Sequence, residues 1–179
     1  MSPILGIWAS QGRISNSYES IATVTVGAGG SSSITFSSIS GTYKHLQIRG
    51  IAKYSSAYNS YGRIQFNSDT SANYAQHQLY GDGSAASSYG YSGESSGIMS
   101  LLSDAQFGNF VTDVLDYTDS NKYKTVRTLG GVDKNGSGYA SMGSSLWRST
   151  AAITSITIFA PASGGNWAQY SSFALYGIK

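Results

Sequence analysis

The side chains that could do chemistry are few and scattered. His45 and His77 are the only imidazoles, and the chain has no cysteine. Neither histidine has a second His, Cys or carboxylate at ligand spacing, so both read as solvated or interfacial residues before they read as metal ligands. Asp113 and Asp116 fall on a predicted strand three positions apart, which points them to opposite faces and rules out a local acid/base pair. Asp116, Asp119 and Asn121 gather oxygens of the kind calcium accepts, but not at EF-hand spacing, and a strand end running into an Asx-type turn is the favoured reading. Serine is abundant, yet no Gly-x-Ser-x-Gly elbow occurs. Gly27-Ala-Gly-Gly30 lacks the Lys-Ser/Thr and the helix that a phosphate cradle needs, so it is read as a turn. The expectation is a protein without catalytic, cofactor-binding or metal-binding residues.

Tyrosine is the richer signal, with 14 in the chain. Tyr54, Tyr58 and Tyr61 lie in one Ser/Asn-rich connection and Tyr89 and Tyr91 in another, the setting in which Tyr and Ser make adaptable recognition surfaces. Packing at core edges or against sister subunits is the favoured role for them, with a host glycan or receptor surface as the alternative. A second contact candidate is the N-terminal stretch with Ile4, Leu5, Ile7 and Trp8. As a free arm it would expose a costly apolar patch, so residues 1–17 are expected to dock on a neighbouring subunit or on a larger particle.

Composition narrows the partners. Only 11% of the 179 residues are charged, 40% are hydrophobic and 13% aromatic, and the net charge is +2. Scattered Lys and Arg make no stripe for phosphates, so nucleic acid is not an expected partner. No apolar run approaches the twenty or so residues of a membrane helix, so no membrane insertion is expected. The N-terminus lacks the cationic region of a signal peptide, which predicts a soluble protein made in a cytoplasm.

The elements that would position these residues are strands. Ser20–Val26, Ser33–Ile39, Lys44–Ala52, Tyr61–Asn67 and Tyr74–Tyr80 carry period-two patterns, and the first two look like a hairpin across the Gly-rich loop. Ser84–Gly97 has almost no aliphatic residue and is read as a long surface loop. Ile98–Leu102, Phe110–Tyr117, Tyr123–Val132, Gly138–Trp147, Ile153–Phe159 and Ser172–Ile178 follow as strands, with turns at Asp119–Lys122 and Asp133–Gly136. No three-turn amphipathic helix appears. The fold class is therefore all-β, an antiparallel two-sheet sandwich of jelly-roll type, with one domain over 18–179.

Several segments also carry a family likeness. Ser2–Trp8 (SPILGIW), Ser17–Val26 (SYESIATVTV), Tyr43–Gly50 (YKHLQIRG), Arg63–Asp69 (RIQFNSD) and Ser172–Lys179 (SFALYGIK) resemble small virion structural proteins of tailed phages, nearly end to end. The likeness lies in strand and turn patterns and transfers no active site. It implies a bacteriophage structural protein on the virion surface, either a capsid decoration (cement) protein or a tail-fibre subunit, forming a homo-oligomer, a trimer, in contact with the major capsid protein or tail proteins. A non-catalytic carbohydrate-binding module is the rival from another class.

Overall fold

The computed structural model describes residues 17–56, 59–161 and 165–179. Alternating β-branched and aromatic residues, broken by Gly, Asn and Asp turns, form twelve strands and no helix among them. They are β1 (Tyr18–Thr25), β2 (Ser33–Phe36), β3 (His45–Ala52), β4 (Ser60–Phe66), β5 (Tyr74–Gly81), β6 (Ala86–Glu94), β7 (Gly97–Leu102), β8 (Gly108–Leu115), β9 (Lys124–Asp133), β10 (Gly138–Trp147), β11 (Ile156–Phe159) and β12 (Ser172–Ile178).

Eight of them make four nested antiparallel pairs: β1 with β12, β2 with β11, β3 with β8 and β4 with β7. Their order is β1-β12-β3-β8 in one sheet and β2-β11-β4-β7 in the other, the jelly-roll arrangement. The remaining four are two inserted hairpins. β5–β6 lies between β4 and β7 in sequence, and β9–β10 between β8 and β11. Both join the first sheet beyond β8, which extends it to eight strands, β1-β12-β3-β8-β9-β10-β5-β6, against four in the second. The β9–β10 turn falls at Asn135-Gly136, both with positive φ (61° and 101°), as a tight two-residue hairpin demands.

The main core fills the jelly roll with Leu46, Ile48, Ile64, Phe66, Phe110, Leu175 and Phe173. Trp167, fully buried in the connection before β12, stacks on Tyr54 at 5.1 Å and meets Phe173 edge-on at 5.1 Å. Interdigitation needs small residues opposite large ones. A Cβ at Gly130 would stand 2.3 Å from Ser100 Oγ and 2.4 Å from the Asn109 carbonyl, so β7 packs close to β9 only over a glycine.

Strand β7 is buried at every position although it is the edge of the small sheet. It lies across β9 and β10, and its outward amides find side chains in place of a strand. Ile98 N donates to Ser145 Oγ (3.0 Å) and Leu101 N to Ser141 Oγ (3.1 Å). Serines spaced four apart on β10 thus close an edge that would otherwise be open to pairing. A satellite cluster of Tyr61, Ile98 and Leu101, with Tyr80 and Tyr139 against it, sits at this junction.

Three expectations need correction. The first two strands are not a hairpin: β1 pairs with β12 and β2 with β11, in different sheets, because the jelly roll folds a long double ribbon and puts sequence neighbours on opposite layers. The stretch read as a surface loop over 84–97 contains β6, paired with β5 along Tyr74–Gly81. The last-but-one strand begins at Ile156; Ile153 is buried ahead of it as a loop anchor.

Candidate functional site

The outer face of the eight-stranded sheet carries an unusual line of residues. Register places Val111 beside Leu129, Leu129 beside Met142 and Met142 beside Leu79, one on each of β8, β9, β10 and β5. All four point to solvent, at 38%, 64%, 50% and 45% exposure, and Ile51 on neighbouring β3 adds another at 56%. An outward position on a half-buried sheet is ordinarily polar. Five exposed aliphatics in one patch approach the size at which an apolar surface ceases to be incidental.

Alongside this row runs a polar ladder. Arg127 Nη2 donates to Asp113 Oδ2 (2.8 Å), Gln47 Nε2 to Asp113 Oδ1 (2.7 Å) and Arg49 Nε to Gln47 Oε1 (2.6 Å). The Arg49 guanidinium lies over Tyr18 at 5.0 Å and Tyr176 at 5.1 Å. The ladder thus pairs its carboxylate internally and leaves the apolar row beside a border of satisfied polar groups.

The β8–β9 turn is built from ion pairs. Lys122 Nζ reaches Asp116 Oδ2 at 2.6 Å and Asp119 Oδ2 at 3.2 Å, and His45 Nδ1 accepts the Asp116 amide at 2.9 Å. The Lys122 ammonium holds the Asp116 carboxyl below the usual carboxylate range. Beneath it, fully buried Lys124 donates to the carbonyls of Asp119, Lys122 and Thr150, which satisfies all three of its protons. Burial pushes the Lys124 ammonium pKa down. A lysine therefore occupies the space between the oxygens weighed for calcium, and Asn121 contributes its amide to Asp119 Oδ1 rather than an oxygen to a cluster. Among the described residues, no group of three His, Cys, Asp or Glu side chains could hold a metal ion. His77 lies on the outer face of β5 against Gly90.

The tyrosines divide. Tyr54 is not on a recognition surface: it is 1% exposed, stacked under Trp167, with its hydroxyl donating to the Ser60 carbonyl (3.0 Å). Tyr61 is also inside, 8% exposed on β4. The hydrophilic Ser and Asn around both conceal that Trp167 and the satellite cluster need aromatic partners there. Tyr89 and Tyr91 are 47% and 46% exposed, on strand β6 rather than on a loop. Tyr58 and the arm residues Ile4, Leu5, Ile7 and Trp8 lie outside the described residues.

Tyr80, Tyr89 and Tyr91 share the inner face of the β5–β6 hairpin, where the large sheet extends past the edge of the small one. Tyr80 and Tyr89 are 6.4 Å apart with 14° between ring planes, and Tyr89 and Tyr91 6.5 Å apart with 15°. Tyr139 stands edge-on to Tyr80 at 6.1 Å. Tyr80, Tyr89 and Tyr139, with Asn59, Ser60, Tyr61 and Leu101, border a cleft of about 430 Å³, and Tyr91 continues the stack of rings beyond Tyr89. The outer row was missed in the sequence because Leu79, Val111, Leu129 and Met142 are far apart in the chain and only pairing aligns them. The near-parallel tyrosines had a signal, Tyr at positions 89 and 91 with single small residues between and beside them.

Set against protein-family models, curated proteins and solved structures, the chain finds no match in any of the three. The likeness to phage structural proteins rests on the sequence segments alone.

Proposed function

We propose that the protein is a structural subunit of the surface of a tailed-phage particle, a capsid decoration protein that acts by shape and buried area and not by catalysis. The particle assignment draws on the sequence segments named above. The observation that carries the subunit role is the row Val111, Leu129, Met142 and Leu79 across the outer sheet face, in a chain with only 11% charged residues. The occupant we assign to this face is a second copy of the chain. Asp113 and Arg127 neutralise each other beside the row and Arg49 is engaged by Gln47, Tyr18 and Tyr176, and an apolar centre bordered by satisfied polar groups is the usual anatomy of contacts between identical faces.

Sedimentation at micromolar concentration tests this. The wild-type chain is expected to be oligomeric, a dimer where two identical faces close on each other in place of the trimer that the family resemblance implies, and Leu129→Lys combined with Met142→Lys to yield folded monomer. A wild-type monomer, or an oligomer indifferent to the double change, overturns the role. Imaging of particles with the subunit labelled then separates capsid decoration from a tail-fibre position.

A further inference from the structure

We infer that the cleft between the β5–β6 hairpin and the edge of the small sheet binds a neutral saccharide. Two independent observations meet there. The first is the set of near-parallel rings: Tyr80, Tyr89 and Tyr91, with Tyr89 and Tyr91 about half exposed although both lie on the inner side of the sheet. Exposed phenol rings fixed on a strand offer flat apolar faces at small cost in conformational entropy. The C–H face of a pyranose is a flat apolar surface of matching kind.

The second is an unsatisfied polar group on a residue that lines the cleft. The Tyr61 hydroxyl is buried and has no hydrogen-bond partner among the described residues. Burial pushes its pKa up to about 12, with the Tyr80 and Tyr89 phenols adding to the shift. Tyr80 packs against the Tyr61 cluster, and Tyr80 and Tyr89 line the same cleft as Tyr61. A buried hydroxyl without a partner is a cost that folded proteins rarely tolerate, and phenylalanine would serve the packing against Ile98 and Leu101 equally well. A ligand hydroxyl entering between Tyr80 and Tyr89 gives the Tyr61 hydroxyl the partner it lacks. On the same face, Gln76, the register partner of Tyr91, has a buried Oε1 that is also unpartnered among the described residues.

The lining decides the charge of the ligand. Asn59, Ser60, Tyr61, Tyr80, Tyr89, Leu101 and Tyr139 include no carboxylate and no cation. Lys134 is held over the Tyr139 ring at 4.9 Å, which engages its ammonium there. Apolar ring faces together with hydroxyl and amide groups suit a molecule whose own surface alternates C–H and O–H, and they offer nothing to an acidic sugar's carboxylate.

The test uses the full chain against immobilised gluco-, galacto- and manno-oligosaccharides of three to four units, with sialylated oligosaccharides as a separate arm. A neutral oligosaccharide is expected to bind. Tyr89→Ala and Tyr91→Ala should each weaken it about tenfold, and Tyr61→Phe about three- to tenfold. Thermal melts keep folding and binding apart: Tyr61→Phe should melt no lower than wild type, since it removes an unpaired buried hydroxyl. The inference is overturned if no neutral oligosaccharide binds at millimolar concentration, if only sialylated ones bind, or if binding survives the Tyr89→Ala, Tyr91→Ala double change. Oligomerisation through the opposite sheet face is unaffected by any of these outcomes, so the two proposals fail separately.

Discussion

The eight jelly-roll strands and the four added ones belong to the same large sheet in part, yet they are held by different chemistry. Between β1-β12-β3-β8 and the small sheet, the interior is aliphatic or aromatic, centred on Trp167, Phe173, Phe110 and Ile48. Under β9, β10 and β5 the core continues through Val126, Trp147 and Tyr74 and then turns to glycine, serine, threonine and tyrosine: Ser100 and Ser141 share a hydrogen bond at 3.0 Å, Thr112 and Thr128 one at 2.9 Å. The first region is stable because apolar area leaves water. The second is fixed by hydroxyls that must each find a partner, and such an arrangement specifies a geometry more than it adds stability. That contrast accounts for where the uncovered surfaces lie. The added hairpins have too little apolar surface opposite them to close a core, and they end in exposed tyrosines on one face and exposed aliphatics on the other.

The largest effect should separate the two regions outright. Trp167→Ala removes the ring that Tyr54 and Phe173 pack against and should cost about 3–5 kcal/mol of unfolding free energy. Tyr91→Ala in the added hairpin should stay within about 0.5 kcal/mol. Chemical denaturation of both variants measures the gap, and comparable losses would erase the distinction.

A smaller change probes the hydroxyl-held region directly. Ser145→Ala leaves the buried Ile98 amide without its acceptor and should cost about 1–3 kcal/mol. The loss should be local: amide hydrogen exchange is expected to speed up at Ile98 and its β7 neighbours, and to stay slow in β11, which has a strand on either side. Uniform acceleration across both sheets would mean that the serines act only through global stability.

How far the sequence discloses this molecule follows the same division. In the jelly roll, Leu46, Ile48, Ile64 and Phe66 alternate with polar residues, and the strands are legible because one face is buried. Which strands pair is not, because β1 and β12 stand at opposite ends of the chain and no local pattern encodes their meeting. In the added hairpins even the strand was hidden: β6 has one face toward solvent and the other toward an open cleft, so no aliphatic alternation marks it. Tyr54 and Tyr61 misled for a related reason. Their Ser and Asn neighbours describe the turn they sit near, whereas their burial is set by Trp167 and Leu101, residues distant in sequence that only the fold brings close.

The seam between the two regions is pinned by a single carboxylate, and acid should loosen it. In the β4–β5 connection, Asp69 Oδ2 accepts Asn73 Nδ2 at 2.9 Å and Trp147 Nε1 at 2.7 Å, and Oδ1 accepts the Ser71 amide at 2.9 Å. The Asn73 and Trp147 bonds, in that order, bring its pKa from 3.8 to about 2. A carboxyl whose folded pKa lies below its unfolded one favours folding wherever it is ionised in both states, and the unfolded chain takes up the proton first as pH falls. Its contribution is thus whole above pH 3.8 and is lost on the way down to about 2. Partial solvent access limits it to about 1–2 kcal/mol. Melts of wild type and Asp69→Asn across this window should converge at the acid end and diverge above it, with the tryptophan fluorescence of Trp147 shifting in step. Parallel curves at all pH values would show that the two regions are joined by packing of Trp147 on Phe66 and Tyr74 alone.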